Sequence, residues 1–354
     1  MKMPDEKKKP SETDKFLEYN SWMIFSSGFS LRRKSSKLST VIRLILFSFS
    51  LFFLTSNIIS FAMNWGHIDI YRKTFNVVWV TCILYMMYYF IVRKRKLVVM
   101  ANHFMKKLCR KRRQHVVKKT KKIMILVNLY VISKTLLSIL NTLVGGIDEP
   151  VVGKGYFTTT FKVMTLGFIV KSSSVYVSFL SLTSEFLFQE MDYINQLDIN
   201  SNKRILLVYH KIESILLVLK HFDRVFCLHP FLWLVYTFMS VSIMVTHIQA
   251  KKQFAFVGIF ALFGHNSCII IVLVILHGIQ RRFQRKLLLI ESNLFTNKDL
   301  QQLPVLMTSL QSRIQCIGNW NMTAWTLFPL DIQLILSFIT HLMTFTIMFV
   351  NLMK

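Results

Sequence analysis

The chain of 354 residues combines a strongly hydrophobic composition with a large positive charge. Hydrophobic residues make up 53% of it and charged residues only 17%, while the formal net charge is +27. Soluble domains contain about 25% charged residues, so this balance argues against a water-soluble domain and favours basic loops between membrane helices. Nucleic-acid binding is also excluded, because the 31 phenylalanines lie in uncharged runs away from the basic clusters, whereas single-strand binding surfaces combine the two.

The N-terminal sequence MKMPDEKKKPSETDKFLEYN is polar and charged. A signal peptide needs an apolar core, which this stretch lacks. We expect these residues to be disordered and residues 1–43 to form a cytoplasmic tail.

Seven apolar stretches are long enough to cross a bilayer, which takes about 20 residues of helix. Backbone groups left unpaired in hydrocarbon cost several kcal/mol, so each span must be helical. The sequence therefore predicts an all-α, polytopic membrane protein with seven transmembrane helices at 44–65, 75–92, 123–144, 161–188, 226–248, 254–279 and 332–352.

The orientation follows from the basic residues between the spans. One alternating set of segments holds 35 lysines and arginines and the other set holds 6. Cytoplasmic segments carry the excess of these residues. This predicts a cytoplasmic N-terminus and an extracellular C-terminus.

Three of the predicted cytoplasmic segments have apolar residues at helical spacing. Segment 93–122 holds 14 basic residues and no acidic ones, which favours one or more helices attracted to anionic lipid. The alternative is a topology signal with no further role. Segments 189–224 and 280–323 are too charged to span, so we expect a small intracellular layer of helices.

The last 35 residues contain a recognisable pattern. The stretch TAWTLFPLDIQLILSFITHLMTFTIMFVNL resembles the C-terminal signature of insect gustatory receptors, a seven-helix family related to insect odorant receptors. That signature has an A-x-G-L-F-x-L-D-like entry, found here at 324–331. It ends in T-Y, five residues, Q-F, found here as Thr344–Phe345, five residues, Asn351–Leu352. The spacing is kept at both ends, while several identities differ.

The resemblance implies a ligand-gated, non-selective cation channel that detects small-molecule tastants. Such a receptor is a homo- or heterotetramer in the plasma membrane of sensory neuron dendrites and needs no cofactor. The resemblance also implies the domain organisation. Residues 44–279 would form a peripheral bundle with cytosolic extensions at 93–122 and 189–224, residues 280–331 an anchor, and residues 332–354 the pore-lining helix with a short external tail.

Candidate pore residues lie on this last helix. Four copies of Asn351 around an axis would form a neutral amide ring that replaces part of a cation's hydration shell, and Leu352 beside it would close the path by dewetting. Thr344 precedes Asn351 by two helical turns and shares its face, next to Phe345, whereas His341 reaches only the edge of that face. The open alternatives are a solvated Asn351 and a Thr344 hydroxyl bonded to its own helix.

Two further groups of residues are candidates for other roles. Pro329 and Asp331 suit the first turn of the last helix, although Asp331 could instead contact a basic anchor residue. Aromatic and polar residues in the external halves of the other spans suit a small organic ligand. The candidate ligand-binding residues are Trp79, Lys134, Asn141, Tyr236 and His265.

Two other classes of function are alternatives to a channel. A seven-helix chemosensory receptor could signal through cytosolic partners without conducting ions, and recording of ligand-evoked current distinguishes the two. An intramembrane enzyme is disfavoured, because the chain has no HExxH, no GxSxG and no paired intramembrane aspartates. The five cysteines have no CxxC spacing, which excludes a structural zinc site of that type.

Overall fold

The computed structural model describes most of the helical part of the chain. The described residues are 10–24, 29–31, 37–63, 70–145, 152–197, 202–226, 228–232, 234–235, 256–296, 304–318, 323–324, 328–329, 333, 336–337, 340–341, 344 and 348.

The chain begins with an ordered helix, α1 (Glu12–Ile24). Ser11 caps it reciprocally with Asp14: the Asp14 N–H donates to the Ser11 hydroxyl at 3.1 Å, and the Ser11 N–H donates to the Asp14 carboxylate at 3.2 Å. Such a box satisfies two of the backbone donors that every helix start leaves unpaired. The apolar side of α1, including Phe16 and Ile24, is fully buried. The prediction of disorder is therefore wrong for these residues.

Four long helices follow α1. Helix α2 spans Lys37–Met63, α3 spans Ile70–Lys107, α4 spans Arg110–Gly145 and α5 spans Val152–Gln196. Helices α3, α4 and α5 each include one of the predicted spans, and α2 includes residues 44–63 of the first span, 44–65. Helices α3 and α4 also share the basic segment 93–122, which is helical on both sides of residues 108–109, as expected.

The boundary between α3 and α4 is an elbow of two residues. The Leu108 N–H still donates to Phe104 O at 3.0 Å, and the Arg113 N–H donates to Cys109 O at the same distance. Leu108 is buried and Cys109 is exposed. The elbow is thus anchored by a leucine side chain, and helical bonding resumes immediately after it.

The second half of the chain is also mainly helical. Helix α6 spans Asn202–Phe226, α7 spans Phe256–Phe295 and α8 spans Pro304–Gly318. Residues 228–232 and 234–235 are helical as well. Among the described residues, α8 contacts both α6 and α7.

A short antiparallel ladder precedes the last helical residues. It pairs β1 (Thr323–Ala324) with β2 (Phe328–Pro329), with Thr323 opposite Pro329. Pro329 therefore lies in a strand and not in a helical turn as predicted. Proline tolerates the edge of a two-stranded ladder because a missing N–H there costs little. Apart from this ladder, the described elements are helices, which confirms the all-helical prediction.

The chain divides into two compact units. One comprises Met1–Asn57 and Met87–Leu182, and the other Ile58–Met86 and Thr183–Lys354. The predicted division at residues 44, 280 and 332 stays a prediction. Within the part of the chain that the structure describes, none of the helices has the length and hydropathy that a membrane span requires.

Candidate functional site

The described residues of the C-terminal stretch lie on one side of a helix, here called the C-terminal face. Its residues have helical backbone, and all are exposed. At 100° per residue they fall in a sector of about 140°. The members are Gln333, Leu336, Ser337, Thr340, His341, Thr344 and Met348.

Hydrogen bonds within the helix order this face. The Thr340 hydroxyl donates to Leu336 O at 2.8 Å, and His341 Nδ1 lies 2.7 Å from Ser337 O. The Ser337 hydroxyl lies 3.3 Å from the same Nδ1. The face therefore presents an imidazole beside hydroxyl groups.

The structure describes two of the candidate pore residues. Thr344 and His341 both lie on the C-terminal face, so the two are brought to one side of the helix. Phe345, Asn351 and Leu352 lie outside the described residues, and the pore role of all five residues stays a prediction.

Most of the candidate ligand and anchor residues are located by their backbone alone. Trp79 lies in α3, Lys134 and Asn141 in α4, and His265 in α7. The structure does not describe their side chains, so whether these meet in one pocket stays a prediction. Tyr236 and Asp331 lie outside the described residues.

Three ion pairs, here called the charged layer, connect the four helices α5, α6, α7 and α8. Glu190 of α5 pairs with Lys211 of α6 at 2.5 Å, and Asp192 of α5 pairs with Lys286 of α7. The four side chains of these two pairs are each one third exposed or less. The third pair joins α6 to α8 through Glu213 and Arg313 at 3.3 Å.

Aromatic rings lie next to two cations of the charged layer and next to Arg282, which is near them in α7. Lys211 lies 5.0 Å from the Tyr193 ring, and Arg313 lies 4.6 Å from the Tyr209 ring. Arg282 lies 4.8 Å from the ring of Phe188. A cation over a ring face within about 6 Å is attracted by the ring quadrupole. The sequence predicted a layer of helices here but not these contacts. The sequence did give one indication. With 17 acidic and 44 basic residues, each acidic residue in these helices could be expected to pair with a lysine or an arginine.

Helix α1 is fastened to α4 and α5 by three contacts that the sequence analysis also missed. The Ser178 hydroxyl donates to Asn20 Oδ1 at 2.6 Å. The rings of Phe16 and Phe179 meet edge to face at 5.3 Å between centroids. Glu12 lies 3.4 Å from the guanidinium of Arg113. The S-x-x-D pattern at Ser11–Asp14 was the signal that a helix starts here.

Metal binding finds no support in this geometry. No group of three or more histidine, cysteine, aspartate or glutamate side chains suited to a metal ion occurs among the described residues.

Comparison with known proteins gives the fold. No family model matches the sequence, and no curated protein matches it either. The solved structure of the insect olfactory receptor OR5 from Machilis hrabei in complex with eugenol matches with a TM-score of 0.65 at 12% identity, covering 95% of this chain and 97% of that chain. Another structure of that receptor matches with a TM-score of 0.63 at 12% identity, covering 96% of this chain and 98% of that chain. The likeness extends over nearly the full length of both proteins, and it confirms at the level of the fold the predicted resemblance to insect chemosensory receptors.

Proposed function

We propose that this chain, which has the fold of an insect olfactory receptor, is a gustatory receptor: a ligand-gated, non-selective cation channel for small-molecule tastants. It acts in the plasma membrane as a tetramer of identical or related subunits. The subtype rests on the C-terminal signature, and the chemosensory class is supported by the fold.

The observation that carries this proposal is the C-terminal face. Ser337, Thr340 and His341 have helical backbone and are exposed, in a stretch of sequence, 332–352, that is otherwise mostly apolar. Polar groups facing hydrocarbon are costly, so they turn toward water or a partner. If sibling subunits bring this face to one axis, the helices enclose a water-filled path. By helical phase Asn351 continues the same face.

Exposed apolar side chains support a membrane location. Helix α2 exposes Leu44 (60%), Phe52 (60%) and Ile59 (53%). A long run of large apolar side chains on the outside of a helix needs a nonpolar surrounding. With 35 basic residues in one set of connecting segments and 6 in the other, the positive-inside rule places the N-terminus in the cytosol.

Two further features fit a ligand-gated assembly. The olfactory receptor of like fold was solved with eugenol, a small molecule of the kind that an aromatic-lined pocket suits. The charged layer ties α5, α6, α7 and α8 together within one subunit, and α8 is the last long helix before the C-terminal stretch.

The decisive experiment is electrical recording in cells that lack other chemosensory receptors. A tastant panel should evoke cation current in cells expressing the chain, alone or with candidate partner subunits, and none in untransfected cells. Second-messenger output without current, from protein shown at the cell surface, would favour the non-conducting receptor instead.

A companion test addresses the pore itself. Asn351→Asp should raise divalent permeability, because a carboxylate ring attracts divalent cations more strongly than an amide ring. Unchanged selectivity and block would remove Asn351 from the pore.

A further inference from the structure

Two cations lie at matching positions on α2 and α3. Phe29, which is buried, contacts Phe47 of α2 at 5.5 Å and Phe90 of α3 at 6.0 Å between ring centroids. Arg43 lies one turn before Phe47, and Lys94 lies one turn after Phe90. Because Phe29 holds the two helices side by side, both cations lie one helical turn from the same aromatic contact.

The charges of Arg43 and Lys94 are close enough to repel each other. Partial burial lowers the pKa of Lys94, and the Arg43 guanidinium lowers it further. The Arg43 guanidinium is held along its own helix, since Nε donates to Ser39 O at 2.9 Å and an Nη donates to the Thr40 hydroxyl at 3.3 Å. A guanidinium has five N–H donors, so these bonds leave donors for a ligand.

The surroundings supply more positive charge and little to neutralise it. The sequence has no acidic residue in 19–68 or in 70–147. Among the described residues of this unit, the acidic ones are Glu12, Asp14 and Glu18, all of α1. Glu12 pairs with Arg113 and Asp14 caps the helix. Arg43 and Lys94 repel each other, so an anion that contacts both would stabilise this arrangement.

Exposed apolar side chains flank the two cations. On the bilayer side of the cations they are Leu44 (60%) and Ile45 (50%) on α2, and Tyr88 (62%) and Ile91 (58%) on α3. Basic groups beside exposed apolar groups characterise surfaces at the boundary of headgroups and acyl chains. A free phosphate would use the cations and leave the apolar groups in water, whereas a phospholipid satisfies both.

We infer that Arg43 and Lys94 together bind the phosphate of an anionic phospholipid, whose acyl chains lie along the exposed apolar residues of α2 and α3. The inference rests on the proposed function, because it requires that Arg43 and Lys94 lie at the inner leaflet of the membrane. The planar guanidinium of Arg43 donates hydrogen bonds to the phosphate oxygens, and the Lys94 ammonium adds a positive charge. The bound lipid relieves the repulsion and fastens α2 to α3 beneath Phe29.

The test is a lipid titration of the purified full-length protein in detergent, read as the rise in Tm. Dioctanoyl phosphatidylserine is the ligand, and dioctanoyl phosphatidylcholine, inorganic phosphate and glycerophosphoserine are the comparisons. The variant is Arg43→Gln/Lys94→Gln. The matched control is Lys106→Gln/Lys111→Gln, which removes the same charge from exposed positions near the elbow between α3 and α4.

Wild type and control should be stabilised by phosphatidylserine at similar concentrations, and phosphatidylcholine should act far more weakly. Each removed cation at the site should raise the half-saturating concentration about fivefold, and both about 25-fold. Inorganic phosphate and glycerophosphoserine should compete poorly because they lack acyl chains. If the double variant does not fold, the single variants Arg43→Gln and Lys94→Gln replace it, each with the expected fivefold rise in the half-saturating concentration.

Equal shifts in the site variant and the control would mean diffuse attraction and overturn the site. Full competition by inorganic phosphate would replace the lipid site with a plain anion site. Because the titration needs no ion current, a chain that binds the lipid but conducts nothing contradicts the proposed channel and leaves this inference standing. Epitope tags that place the N-terminus outside the cell would contradict its placement at the inner leaflet.

Discussion

Ser178 donates a hydrogen bond to Asn20 across 158 residues of sequence, at 2.6 Å. Both side chains are fully buried, and the Asn20 amide nitrogen also donates to Phe16 O at 2.9 Å. The amide is therefore engaged on both sides. The bond fixes α1 against α5 at one register.

Breaking this bond should destabilise the folded protein. Ser178→Ala leaves Asn20 Oδ1 buried without its donor, which costs about 1–3 kcal/mol. A fall in Tm of the detergent-solubilised protein measures the effect. Ser174→Ala is the matched control, because that hydroxyl donates only to Val170 O in its own helix and its loss should cost less than about 1 kcal/mol. Equal losses in the two variants would contradict the role of Ser178.

The charged layer predicts a charge-reversal experiment on Asp192 and Lys286. Asp192→Lys replaces an attraction with a repulsion and should cost about 1–2 kcal/mol, a modest figure because both side chains are partly exposed to screening solvent. Adding Lys286→Asp restores an ion pair of opposite polarity. About half of the lost stability should return, since Lys286 also lies 6.0 Å from the ring of Phe188 and that contact is given up. Thermal unfolding of the two variants checks this, and the idea fails if the double variant is no better than the single one.

The C-terminal face predicts a pattern of cysteine accessibility. Cys109 and Cys316 are exposed, so they are first replaced by serine. In that background Ser337→Cys and Thr344→Cys should lose most of their evoked current on reaction with a positively charged thiol reagent. A fixed charge in a narrow path repels permeating cations.

The matched control for this experiment is Val305→Cys in α8, where the side chain is 84% exposed. It should react with the reagent while the current stays unchanged. Labelling of Ser337→Cys and Thr344→Cys that leaves the current intact would move the C-terminal face away from the ion path.

His103 predicts a dependence of stability on pH. Its side chain is mostly exposed, but the small part of it that is buried lowers its pKa from 6.5, and the neighbouring Lys107 lowers the pKa further. The unfolded chain then binds more protons than the folded one between the two pKa values, so the stability contributed by neutral His103 is lost as pH falls below about 6.5. Between pH 7.5 and 5.5 the Tm of His103→Gln should fall less than that of wild type. A parallel fall in both proteins would exclude His103 as a source of the dependence.

The helices could be predicted from sequence where the signal is local. The apolar runs located parts of α2 to α5, and apolar residues among the cations of 93–122 indicated helix there. The elbow at Leu108–Cys109 was not predicted, because neither residue is a helix breaker. It is fixed by burial of the Leu108 side chain, which depends on tertiary packing.

The candidate site shows the same division between local and distant signals. Helical phase predicted Thr344 on the face of Asn351 and His341 at the edge of that face, and both residues lie on the C-terminal face. The ion pairs of the charged layer could not be predicted, because their partners are 21, 94 and 100 residues apart. Helix α1 was missed for the same reason: its apolar side is short, and the partners that order it come from α4 and α5.

The distance in sequence between Asn20 and Ser178 also sets an order of events during biosynthesis. At about 5–20 residues per second, the ribosome needs roughly 8–30 s to add the 158 residues between them. During that interval α1 can contact α4 but lacks Ser178 and Phe179 of α5. The first helix is therefore synthesised early, but its packing is completed only after α5 has been made.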